Sequence, residues 1–186
     1  LADILTDPQF DPGELAKEKN VIVQEIGAAE DSPDDVVYDL FIATAFPGQP
    51  LGRSILGTPQ AVRSATPDKL RGYMGRSYRA PRAVVAAAGA VDHDRMVEMV
   101  AEKFGRLAGD APPASEQGQY RGGTATTGRP IEQTNLVFGF QGISYRDPDV
   151  YAVGVFNNLL GGGLSSGLVQ ELREEGGLCY EIHSFP

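Results

Sequence analysis

The sequence is short of the residues that metal binding and nucleophilic catalysis most often use. It has one cysteine, Cys179, and two histidines, His93 and His183. A lone cysteine excludes an internal disulfide and is compatible with a reducing compartment. Neither histidine lies in H-E-x-x-H or H-x-x-E-H, so no complete zinc site can be read from the residues. No apolar run reaches eighteen residues, which gives no membrane-spanning helix. No basic stripe interleaved with aromatics occurs, which argues against nucleic-acid binding. The first residue is Leu1 rather than methionine, so a fragment or a processed product is expected, with any targeting signal upstream.

What is present describes an ordinary globular chain. Its 186 residues suffice for one large domain or parts of two, at 41% hydrophobic and 22% charged content. The net charge of −9 is uneven: −9 over residues 1–40, +5 over 41–106 and −5 over the rest. The acidic first segment and the basic middle are therefore candidates for neighbours in the fold.

Helix signals recur along the chain. Asp11 with Pro12 and Glu14 reads as a capping box opening a helix over 11–30. Ser32-Pro33, Thr58-Pro59 and Thr66-Pro67 repeat the cap-then-proline device, and Asp92 caps a helix over 92–107. Asp147-Pro148 starts another, and Ser165 or Ser166 caps the helix after "LGGGLSSG". Strands are expected at 82–91, at "YRGGTATTG", at "IEQTNLVFGFQGI" and at "LCYEIHSF". The alternation is too loose for a doubly wound sheet. It predicts an α+β fold with helices on one face of a mostly antiparallel sheet. Residues 108–119 have linker composition, which divides the chain into domains at 1–107 and 120–186.

One helix carries an anomaly. In "KEKNVIVQEIGAAEDSPDD", Glu18 and Glu25 are seven positions apart, so they lie in line on a stripe that also holds Val21, Ile22 and Ile26. A solvated acidic face is one reading. The other is that the acids are held by a cation, a metal or a proton, because a buried unpaired carboxylate costs several kcal/mol. A zinc site needs His or Cys as well.

Elsewhere the motifs exclude more than they assign. "LGGGLSSG" lacks the lysine of a phosphate-binding loop and reads as a hinge or substrate-contacting loop. "EDSPDDVVYD" lacks the glycine and spacing of a calcium loop. Arg173 and Tyr180, across the turn in "REEGGLCY", are either a surface pair or two donors converging on a carbonyl or carboxylate.

Three ordered segments resemble the pitrilysin and mitochondrial processing peptidase family of zinc metallopeptidases, the inverzincins. They are "EKNVIVQEIGAAEDSPDDVVYDLF", "PLGRSILGTPQAVRSATPDKLRGYMGRSYRAPRAVVAAAGAVDHD" and "LGGGLSSGLVQELREEGGLCYEIHSF". The resemblance implies that Glu25 is a zinc ligand and that Glu18 supports the site. It implies that Arg173 and Tyr180 hold substrate peptide near the metal. The H-x-x-E-H segment, with two histidine ligands and the general-base glutamate, would lie upstream of Leu1. Zn2+ is then the cofactor of the intact protein, and these residues alone are expected to be inactive and metal-free. The family also implies similar domains, each a two-layer α+β sandwich with an antiparallel sheet, around a chamber, a peptide or unfolded-protein substrate, and pairing as a homodimer or with a related subunit. Gly167 departs from the family, standing where many relatives carry arginine. A non-catalytic partner subunit of the same family is the alternative. An acidic interaction domain, with Glu18 and Glu25 fully solvated, is an alternative of another class.

Overall fold

The computed structural model describes residues 1–107, 109–111 and 113–186. The linker expected at 108–119 thus lies partly outside the described residues, at 108 and 112. The chain forms two compact units, Leu1–Phe138 and Gly139–Pro186.

The first unit holds α1 (Ala2–Thr6), α2 (Pro12–Asp31), α3 (Pro33–Ala45), α4 (Pro59–Arg63), α5 (Pro67–Ser77) and α6 (His93–Phe104). Caps explain where most of them start. The Asp11 carboxylate accepts from the backbone N–H of Gly13 and Glu14 at 2.8 and 3.0 Å. Ser32, Thr58, Thr66 and Asp92 accept from the N–H three residues on. Each cap satisfies a donor that the first turn would leave unpaired. The box expected at Asp11 is only half made, because the Glu14 side chain pairs forward with Lys17 at 2.6 Å.

Helix α2 packs on α3 and α4, and α1 packs on α6. Ile26 on α2 and Ala45 at the end of α3 are buried. The Lys19 ammonium reaches across to the Arg63 carbonyl, 3.3 Å away, tying α2 to the end of α4. The later chain folds back on these helices. The Gln49 side chain donates to the Gln119 carbonyl and accepts from the Gln119 N–H, at 2.9 and 2.7 Å. Arg121 N–H donates to the Ala45 carbonyl, and Arg129 donates to the Glu30 carbonyl.

The expected α+β sandwich is not what forms. Among the described residues there is no strand and no sheet, and the regular structure is helical. The segments expected as strands are irregular and open to solvent. Val84 is 90% exposed, Phe138 81% and Phe140 88%. The physical reason is pairing. A strand exists only when its backbone exchanges hydrogen bonds with a neighbour, and none of these segments meets another in a ladder. Alternating side chains prepare a segment for a sheet but do not supply the second strand.

The second unit contains α7 (Val150–Gly161), a glycine-rich turn, and a helix that is π-wound over Val169–Glu175. The i→i+5 bond from Gly176 N–H to the Glu171 carbonyl, 3.0 Å, shows the wider winding. Helix α7 begins three residues later than its sequence signal. Asp147 instead accepts from the Asp149 N–H in a turn, which delays the helix. Gly177, at φ 58, then reverses the chain into residues 178–186. No helix of the described residues is long and apolar enough to cross a membrane.

Candidate functional site

Helix α2 presents Glu18 and Glu25 to solvent. Twenty residues long and capped by Asp11, it fixes the two carboxylates two turns apart. Ile26, next to Glu25, turns inward and is buried, so the helix itself is anchored. Among the described residues neither carboxylate forms an ion pair or hydrogen bond. The acids therefore sit at the margin of the apolar stripe, not within it.

Among the described residues no group of three His, Cys, Asp or Glu side chains converges as a metal site. His93 opens α6, and His183 stacks on Phe185 with ring centroids 5.8 Å apart, its Nδ1 3.8 Å from a Glu181 oxygen. Zinc is held by three or four ligands, and one exposed carboxylate cannot do this alone. These residues by themselves do not fit a zinc ion.

The second unit brings Arg173 and Tyr180 together. They line an open cleft of about 370 Å³ whose other walls are the glycine turn at 161–164 and the chain at 181–183. The Arg173 guanidinium carbon lies 6.0 Å from the Tyr180 ring centroid. Its Nη1 lies 3.5 Å from a Glu174 oxygen, at the long limit of an ion pair. Among the described residues most of its five donors are thus uncommitted. Tyr180 is 83% exposed, so one ring face and its hydroxyl are open. The arrangement can bind a peptide carbonyl or carboxylate through the guanidinium and pack a side chain on the ring.

The sequence signal for a capped helix after the glycines is corrected. The helix does start directly after Ser166, whose carbonyl accepts from the Gln170 N–H at 3.0 Å, but the Ser166 hydroxyl is buried with no hydrogen-bond partner among the described residues and caps nothing. Sequence reasoning also missed Asn157 and Ser184, which hydrogen-bond to each other next to the cleft residues Gly161 and His183. A glycine run ending a helix, "NNLLGGG", is the signal that another backbone passes close by.

Comparison with known proteins settles the family. Residues 1–59 match the model of the insulinase family, peptidase family M16, and residues 64–186 match the peptidase M16 inactive domain. The chain belongs to peptidase family M16. It is 37% identical over 186 residues to YmxG of Bacillus subtilis, called an uncharacterized zinc protease, covering all of this chain and 45% of that one. An uncharacterized zinc protease of Streptomyces coelicolor is 37% identical over 194 residues, covering 100% of this chain and 42% of that one. The M16 chain therefore spans less than half the length of the curated relatives it matches. Its backbone follows the crystal structure of a peptidase M16 inactive domain from Pseudomonas fluorescens. The TM-score is 0.80 at 20% identity, over 98% of this chain and 45% of that one. A protease from Helicobacter pylori gives a TM-score of 0.75 at 18% identity, over 99% and 46%.

Proposed function

We propose that these residues are part of a zinc-dependent endopeptidase and contribute two separate elements to it. The second unit supplies a peptide-holding pair, Arg173 and Tyr180. The first supplies Glu25 as one metal ligand, with Glu18 beside it as its supporting carboxylate. The remaining ligands and the general base come from outside these 186 residues, so the chain alone is inactive and metal-free.

The observation that carries the reading is the Arg173–Tyr180 pair on the cleft. Seven residues apart in sequence, they meet at 6.0 Å on a wall of backbone glycine. Arg173 lies in the π-wound segment, a rare geometry that occurs frequently at functional sites. The names of the zinc-protease relatives support the metal half of the proposal. The uncommitted carboxylates of Glu18 and Glu25 are compatible with it. A partner subunit of related fold remains the competing reading for the intact protein, since one matched model is that of an inactive domain.

The test is metal dependence. The intact protein is expected to cleave an unfolded polypeptide, to lose that activity on chelation and to regain it with added zinc. Cleavage that survives complete chelation sinks the proposal. A zinc-free protein that never cleaves, alone or with a related subunit, favours the scaffold.

A further inference from the structure

Tyr180 stands on a segment with little support of its own. Among the described residues, 179–183 form no backbone–backbone hydrogen bond. Two anchors flank them. On one side Leu178 N–H donates to the Leu172 carbonyl at 2.9 Å. On the other, Ser184 makes three bonds to the last turn of α7. Its N–H donates to the Gly161 carbonyl at 3.1 Å. Its hydroxyl donates to the Asn157 carbonyl at 3.2 Å, and its own carbonyl accepts from the Asn157 side-chain amide at 3.1 Å. Asn157 and Ser184 therefore clasp each other reciprocally.

The close approach has a sequence cause. A Cβ on Gly161 would lie 2.6 Å from the Ser184 hydroxyl oxygen and 2.7 Å from its backbone nitrogen. Only glycine lets the two backbones meet there. Gly161 and residues 180–183 line the same cleft, so the clasp at Ser184 ties the segment that carries Tyr180 to the end of α7.

We infer that Asn157 and Ser184 are positioning residues for peptide binding. They hold the wall that carries Tyr180 in register with Arg173, and neither needs to touch the peptide. The inference rests on the reading of Arg173 and Tyr180 as the peptide-holding pair. Loss of the clasp frees the wall to move, which lowers the fraction of the cleft that is ready to bind. Chemistry at a separate centre is untouched, so the effect falls on KM and not on kcat.

The experiment is a double-mutant cycle in the intact protein, read as KM and kcat on one peptide with zinc content measured in parallel. Asn157→Ala is expected to raise KM about fivefold, with kcat within about twofold and zinc unchanged, as loss of one net hydrogen bond implies. Tyr180→Ala raises KM as well. In the Tyr180→Ala background, Asn157→Ala adds nothing further. Independent, multiplying effects overturn the inference and leave the Arg173–Tyr180 reading standing, as does a wild-type KM for Asn157→Ala. A wild-type KM for Tyr180→Ala overturns both. Ser184→Ala removes only the hydroxyl bond and carries the same cycle where Asn157→Ala does not fold.

Discussion

The Arg173 guanidinium lies over the Tyr180 ring, 6.0 Å from its centroid, although a helix end and a chain reversal separate the two residues. Gly177 makes the meeting geometrically available, because its positive φ folds the chain back along the π-wound segment. A cation over an aromatic face is worth about 0.5–1 kcal/mol at an exposed site. That is enough to orient an arginine but not to consume its donors. The pair is pre-arranged and still free to bind.

Arg173→Ala in the intact protein is therefore expected to raise KM for a peptide by about tenfold, the loss of a charged hydrogen bond at the exposed limit. Zinc content stays at the wild-type value. Arg173→Lys recovers little, because a point charge lacks the planar fork. Unchanged kinetics for Arg173→Ala would remove the peptide-holding role.

Glu25→Gln tests the metal half. The side chain is exposed and, among the described residues, without a partner, so folding stability should move by less than about 0.5 kcal/mol. Glutamine keeps the shape and removes the charge. If Glu25 is a ligand as proposed, metal analysis of the purified intact protein should show most of the zinc lost. Glu18→Gln is expected to weaken zinc about 10- to 100-fold without abolishing it, the usual size for a supporting group. Full zinc in Glu25→Gln would overturn the assignment.

The sequence made the helices legible because their starts are local. Asp11, Ser32, Thr58, Thr66 and Asp92 each cap the helix that their side-chain chemistry announces. The strands were misread because pairing is not local. "NLVFGF" alternates as a strand does, yet Phe138 and Phe140 are exposed, with no ladder among the described residues. The site divides along the same line. Glu18 and Glu25 were legible as residues on one helix face. Whether other groups join them was not legible, because residues distant in sequence leave no local signal. Asn157 and Ser184 were invisible for that reason, being 27 positions apart.

Glu102 gives a pH prediction with a definite sign. The neighbouring Lys103 ammonium, 2.7 Å away, holds its carboxyl below the ordinary range by hydrogen bonding and then by charge. A carboxylate lowered by folding contributes stability above its unfolded pKa and loses it as pH falls through the folded value. The window is thus at and below the usual carboxylate range. The pair is exposed to solvent, so salt should screen it. NMR titration of the Glu102 carboxyl should show the lowered midpoint in dilute buffer. Both Lys103→Gln and about 1 M salt should return it toward the ordinary range. A midpoint that ignores both would show that the ammonium is not its cause.

The last prediction contrasts two glycines of the cleft wall. A Cβ at Gly161 would press into the Ser184 backbone at 2.7 Å, whereas one at Gly163 would meet nothing within 4 Å. Backbone atoms cannot swing aside as a long side chain can, so relief requires the wall at 184 to move. Gly161→Ala is expected to destabilise the protein by about 1–3 kcal/mol, the cost of overpacking. Gly163→Ala, adding a methyl to open space at an ordinary φ, should change stability by less than about 0.5 kcal/mol. Chemical denaturation of the two variants side by side reads the difference. Because the Gly161 strain falls on the segment behind Tyr180, its peptide KM should rise as well, while Gly163→Ala keeps the wild-type value. Equal stabilities for the two variants would mean that the 161–184 contact does not form in solution.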